Sequence, residues 1–173
     1  WGHGLATVAA DGTVLDVFYP NPQLGSAPTS DALWVVPKEL DSVAGEDARR
    51  GVSLQVIHTE IELALPVINT ADAYLRLHLL SHLLVKPNTV NLDGLIPNLP
   101  IVAFTNIGAI ELGFFEANRV ALQRAGVITH SIDKFPRLVD YVVPKKVRIA
   151  DANRVRLGAH LAPGTTVMHE GFV

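Results

Sequence analysis

Cysteine is absent from all 173 residues. Disulfides, thiolate metal centres and a cysteine nucleophile are therefore excluded, and the absence fits a reducing compartment. Long hydrophobic runs are missing too. The most apolar stretch, Leu75–Val85, is interrupted by Arg76, His78, Ser81 and His82. No run reaches the roughly 18 residues that a membrane-spanning helix needs. Positive charge is not in excess: the net charge is −3, which leaves no broad footprint for nucleic acid. The nearest basic patch, Lys145, Lys146, Arg148, Arg154 and Arg156, is short and reads as a solvated face. Gly2-His3-Gly4 lacks the rest of a dinucleotide fingerprint, and no Gly-x-Ser-x-Gly elbow is present. The expected partners are thus small molecules, with neither nucleic acid nor membrane.

With 49% hydrophobic and 18% charged residues, the chain is globular. Its length suits one domain, or one domain and part of another. Residues 4–19 read as a β-hairpin turning at Asp11-Gly12. Pro20, Pro22 and Pro28 make the next stretch a loop, and Ala32–Val36 is a short strand candidate. Asp41–Arg50 reads as an exposed loop or short helix, and Val52–Leu65 as a long strand with one buried face. A helix is expected over residues 70–86, with Thr70 as N-cap and Pro87 as its stop. A short buried strand follows at Ile101–Phe104, then a second helix from about Ile110 to Ala125, ended by Gly126. Val127–Ile132 returns as a strand, and Leu138–Val143 leads onward.

The last stretch carries the clearest pattern. An aliphatic residue recurs every six positions at Val143, Ile149, Val155, Leu161, Val167 and Val173. Neither a helix nor a plain strand has that period; a β-solenoid does, with each hexad forming one flat side of a coil. Leu157-Gly158 and Pro163-Gly164 place turn-forming residues at corners. The fold expected is an α/β domain over residues 1–140, followed over 141–173 by the first coils of a left-handed parallel β-helix.

Isolated site candidates are few. His78 and His82 lie four apart on one helix face, a spacing that metal ligands share, but no zincin-type glutamate accompanies them. Hydrogen bonding at the helix is the expected role. Asp133 and Asp140 read as turn and cap residues, while His160 and His169 lie either in an intersubunit groove or on the surface.

The segments Asp133–Arg137, Val139–Pro144, Val147–Asp151, Arg154–Leu161 and Gly164–Val173 closely resemble tetrahydrodipicolinate N-succinyltransferases, actinobacterial-type branch. Asp72–His82 and Thr105-Asn106 extend the likeness upstream. The resemblance implies transfer of succinyl from succinyl-CoA to tetrahydrodipicolinate in diaminopimelate and lysine biosynthesis. It also implies a cytoplasmic homotrimer with active sites between adjacent solenoids. Relatives carry Mg²⁺ near the threefold axis on acidic side chains; one matches Glu170, and the other falls at Asn153, where relatives have Asp. Asn keeps an oxygen donor but loses the charge, so metal affinity is expected to fall. The family's catalytic glutamate and cofactor groove are expected beyond Val173, so no catalytic residue is assigned here and this chain alone is expected to be inactive. Arg137 and Arg148 are candidate contacts for the dicarboxylate by charge alone.

Two alternatives stay open. A different hexapeptide-solenoid enzyme, a sugar acetyltransferase or a γ-class carbonic anhydrase, would share the period; the anhydrase needs three histidines, and residues 143–173 hold two, His160 and His169. A non-catalytic trimerising fragment is the other.

Overall fold

The computed structural model describes residues 1–28 and 35–173. The strand expected over Ala32–Val36 lies mostly outside the described residues. The rest is an α/β fold built on antiparallel sheets. β1 (Gly2–Ala9) and β2 (Val14–Phe18) form the hairpin expected from Asp11-Gly12. Only Gly12 adopts a positive φ, 88°, and Gly12 N–H donates to Ala9 O, so the connection is a three-residue loop. The register slips between Thr7 and Val8, making Leu15 a bulge residue and leaving Leu15, Asp16 and Val17 all buried.

After a single helical turn, α1 (Lys38–Asp41), a short edge strand β3 (Gly45–Asp47) pairs with β4 (Val52–Thr59). β4 stops at Thr59 rather than Leu65. The sheet order is β2-β1-β4-β3, antiparallel throughout. Gly2 and Gly4 serve packing: a Cβ on Gly4 would lie 2.6 Å from the Tyr19 ring, so the ring can settle over bare backbone. The Tyr19 hydroxyl donates to Ala71 O at 3.0 Å and meets Thr59 Oγ1 at 2.8 Å, joining the sheet to the helix above it.

That helix, α2 (Thr70–Ser81), is buried on nearly every side from Asp72 to Ser81. Leu75, Leu77 and Leu79 are each at most 3% exposed, and each buried leucine contributes roughly 2 kcal/mol. The N-cap is Asn69, not Thr70: its side chain accepts from Asp72 N–H at 2.9 Å. The helix also ends five residues before the expected Lys86. Leu83 takes φ 60°, its N–H bonds Leu80 O and the Leu84 N–H bonds Leu79 O. This is a Schellman closure with leucine where glycine usually sits, a stop that sequence pattern does not announce.

A second, three-stranded sheet has the order β6-β5-β7, with β5 (Val102–Thr105), β6 (Gly108–Ile110) and β7 (Thr129–Asp133). It follows α3 (Leu95–Asn98). The single helix expected over Ile110–Ala125 is two: α4 (Leu112–Ala117) and α5 (Arg119–Arg124). Ile110 belongs to β6, and Glu111 caps α4 by accepting from Gly113 and Phe114 N–H at 2.8 and 2.7 Å. Asn118 Nδ2 donates to Phe114 O at 2.9 Å, a local bond of the kind that competes with helix continuation.

The final segment holds β8 (Arg148–Ile149) and β9 (Thr166–Val167), paired in parallel, Arg148 opposite Thr166 and Ile149 opposite Val167. Val173 continues the same offset, exchanging bonds with Arg154 O and Arg156 N–H. Val155, Leu161 and Val167 point inward at 0%, 6% and 6% exposure. Val143 and Val173 do not: they are 88% and 53% exposed, and Leu138–Asp140 before Val143 forms a 3₁₀ turn that sets it outside the inward row. The inward side chains share one hydrophobic cluster with α2 and β2. Gly158 N–H donates to Ser81 Oγ at 2.8 Å, fixing the coil against the helix.

Candidate functional site

A cleft of about 460 Å³ opens where the two sheets meet the segment entering the coil. Asp16 and Phe18 come from β2, Phe104 from β5, His130 from β7, and Arg137 and Tyr141 from the connector. Two bulges help build it. The pairing of β5 with β7 slips between Phe104 and Thr105, leaving His130 as the extra residue, on the cleft wall. The bulge in β2 accompanies the burial of Asp16 on the other side.

Burial drives the electrostatics here. Asp16 is 8% exposed, and desolvation pushes its carboxyl above the usual range; hydroxyls of Thr7 and Tyr141 and the charge of Arg50 oppose that rise. The Tyr141 hydroxyl donates to Asp16 Oδ2, while Oδ1 has no hydrogen-bond partner among the described residues. Burial, followed by the charge of Asp16, raises the Tyr141 and Tyr74 phenols.

His78 lies behind this wall, fully buried. Its Nδ1 bonds Tyr74 O at 2.7 Å and its Nε2 accepts from Tyr19 N–H at 3.2 Å, which sets the tautomer with the proton on Nδ1. Desolvation lowers its pKa from 6.5 to about 3. Both ring nitrogens of His78 are thus occupied, the hydrogen-bonding role expected from sequence, whereas His82, stacked alongside, has a buried Nε2 with no hydrogen-bond partner among the described residues. Among the described residues no three His, Cys, Asp or Glu side chains group as a metal site. A depressed histidine stabilises the fold fully above its unfolded pKa of 6.5, and that stability drains as pH falls toward about 3. Asp16 works oppositely, favouring the fold most below 3.8. Urea unfolding of wild type against His78→Asn should therefore diverge in slope below pH 6.5, by up to about 1.4 kcal/mol per pH unit. Parallel profiles would remove His78 as the cause.

The other site candidates lie apart from this core. Arg137 lines the cleft, but Nε and Nη2 both bond the Asp140 carboxylate at 2.9 Å, leaving Nη1 outside the pair. Asp140 is thus an ion-pair partner, and Asp133 pairs with Arg156 at 3.0 Å. Arg148 is exposed on β8. Glu170 has 82% of its side chain exposed, with His169 3.6 Å away. Asn153 bonds Asp151 Oδ1 through its backbone and side-chain nitrogens. The offset of β8 and β9 sets Asn153 level with Gly171, next to Glu170. One chain thus offers one carboxylate and one amide oxygen there, hard donors that suit Mg²⁺ only when further copies add theirs. His160 lines a separate apolar groove beside Leu77 and Leu157. Sequence reading missed Asp16, Tyr141 and His130. The one available signal was an aspartate inside the apolar run Thr13–Tyr19.

Architecture and cleft define an α/β protein whose closing segment pairs Arg148–Ile149 in parallel with Thr166–Val167. The family model described as "Tetrahydrodipicolinate N-succinyltransferase middle" matches residues 99–137. A 2,3,4,5-tetrahydropyridine-2,6-dicarboxylate N-succinyltransferase of Salinispora tropica is 50% identical over 184 residues, covering 100% of this chain and 56% of the relative. The Pseudomonas aeruginosa enzyme of the same name is 45% identical over 166 residues, covering 88% and 48%. A solved Campylobacter jejuni structure described as a 2,3,4,5-tetrahydropyridine-2-carboxylate N-succinyltransferase superposes with TM-score 0.72 at 20% identity, over 97% of this chain and 56% of that one; it speaks for the fold alone. The chain is therefore homologous to tetrahydrodipicolinate N-succinyltransferases and spans about half the length of the curated relatives it matches.

Proposed function

We propose that this chain is the N-terminal half of an N-succinyltransferase that moves succinyl from succinyl-CoA to tetrahydrodipicolinate, in diaminopimelate and lysine biosynthesis. The observation that carries the reading is 50% identity across the whole chain to a relative of that name. Water first adds across the ring C=N bond of tetrahydrodipicolinate, which gives the nitrogen a proton; acyl transfer then forms an N–C bond, breaks the thioester C–S bond, passes that proton to a base and releases CoA as the thiol. It needs alignment, a base and donors for the developing oxyanion. It needs neither a cysteine nor a redox centre, which agrees with a chain that has no cysteine.

Residues 141–173 begin a left-handed parallel β-helix in this reading, and residues 1–140 form the α/β domain. Parallel pairing of Arg148 with Thr166 supports one coil per three hexads. Copies assemble as a cytoplasmic homotrimer, with sites between adjacent coils. Exposed Arg148 is then the better placed contact for a substrate carboxylate, because Arg137 has committed two nitrogens to Asp140. Glu170 and Asn153 would hold Mg²⁺ jointly with the same residues of neighbouring copies, where the ion would neutralise carboxylates gathered at the axis. In the full-length protein, Arg148→Ala should raise KM for tetrahydrodipicolinate about tenfold with little change in kcat. An unchanged KM would remove Arg148 from the site and leave the succinyltransferase reading standing.

A further inference from the structure

The cleft between the sheets offers chemistry that acyl transfer at an intersubunit groove does not use. Its lining holds a carboxylate, Asp16, with one oxygen bonded by Tyr141 and the other, the buried Oδ1, without a hydrogen-bond partner among the described residues. A buried acceptor left unpaired is costly, and a cation or donor arriving beside it recovers that cost. The lining also holds Arg137, whose Nη1 lies outside its pair with Asp140, itself on the lining, and His130, the extra residue of the β7 bulge. Three aromatic rings, Phe18, Phe104 and Tyr141, share the lining. A volume of about 460 Å³ falls within the range of small-molecule sites. A carboxylate, a guanidinium, an imidazole and apolar rings on one lining offer partners for both ends of a zwitterion with an apolar body.

We propose that this cleft binds a free α-amino acid with an apolar side chain, its ammonium on Asp16, its carboxylate on Arg137 and His130, and its side chain against Phe18, Phe104 and Tyr141. The ammonium supplies the counter-charge that burial otherwise denies the Asp16 carboxylate. Arg50, the other cation near Asp16, is committed to Asp47 at 2.8 Å and to Ala109 O at 3.3 Å, so it does not replace the ligand's ammonium. The site is independent of the proposed acyl transfer, because binding is read directly and not through turnover.

Isothermal titration with three probes that share one apolar body tests it: L-phenylalanine, phenethylamine, which lacks the carboxylate, and 3-phenylpropionate, which lacks the ammonium. L-Phenylalanine should bind at least about tenfold more tightly than either. Asp16→Asn keeps an acceptor for Tyr141 and should weaken L-phenylalanine and phenethylamine, leaving 3-phenylpropionate unaffected. His130→Ala, at a half-buried position of the lining, should weaken L-phenylalanine and 3-phenylpropionate instead. Equal affinities for the three probes, no binding of L-phenylalanine at millimolar concentration, or an unchanged affinity in a folded His130→Ala protein would each overturn the assignment.

Discussion

Replacing Arg76 with methionine is expected to lower stability by about 3–5 kcal/mol, a larger loss than any other single change proposed here. Arg76 is 1% exposed in the middle of α2. Its Nε bonds Asp72 Oδ1 at 2.6 Å, and Nη1 and Nη2 reach Leu63 O, Asn91 O and Glu62 O at 3.1, 2.7 and 3.2 Å. Asp72 in turn accepts from Ile68 N–H at 3.1 Å. One guanidinium thus holds the loops on either side of α2 to the helix itself. Methionine fills much of the volume but leaves the buried Asp72 carboxylate without its counter-charge and Asn91 O without its donor, while Leu63 O and Glu62 O keep the Asn91 and Leu65 N–H groups. Lysine would keep the charge without the planar fork and should recover only part of the loss. Urea denaturation of the three proteins is the measurement. A loss below about 1 kcal/mol would mean the network is solvated in ways its burial does not suggest.

The second large effect is expected at Gly158. Its φ is 103°, a region that L side chains rarely adopt, and a Cβ there would stand 2.6 Å from Leu77 Cδ2. Gly158→Val should cost roughly 2–4 kcal/mol, from backbone strain and overpacking together. The two causes can be separated. Leu77→Ala opens the space, so the penalty of Gly158→Ala should shrink in that background but not vanish, because the φ strain remains. Purely additive losses would show that Leu77 is not the obstacle. The position matters because it is where the coil is fixed to α2 through Ser81.

Much of the architecture was legible because it depends on local pattern. Asp11-Gly12 between apolar runs is enough for the hairpin, and the six-residue spacing marks Val155, Leu161 and Val167 as inward. The same count wrongly included Val143, since spacing records residue type and not which way the chain turns before it. The helix over residues 70–86 failed at its end for a related reason. Leucine at a left-handed closure carries no sequence mark, so Leu83 looked like one more helical apolar residue. Asn118 likewise divided the helix expected over Ile110–Ala125.

The cleft was illegible for a different reason. Asp16 and Tyr141 meet across 125 positions of sequence, and two bulges, invisible to alternation, help bring Asp16 and His130 to it. Nothing in the spacing of single residues encodes such a meeting. Arg137, chosen for its charge, does line the cleft but is half-committed to Asp140. Arg148, Asn153 and Glu170 lie on the coil, away from the cleft lining, and their roles follow from the family resemblance and not from contacts within one chain.

The central claim is that this chain is part of an N-succinyltransferase, and release of CoA thiol by the full-length protein tests it most directly. Thiol should appear only when succinyl-CoA and tetrahydrodipicolinate are both present. A folded full-length protein that binds succinyl-CoA yet releases no thiol with tetrahydrodipicolinate would contradict the account.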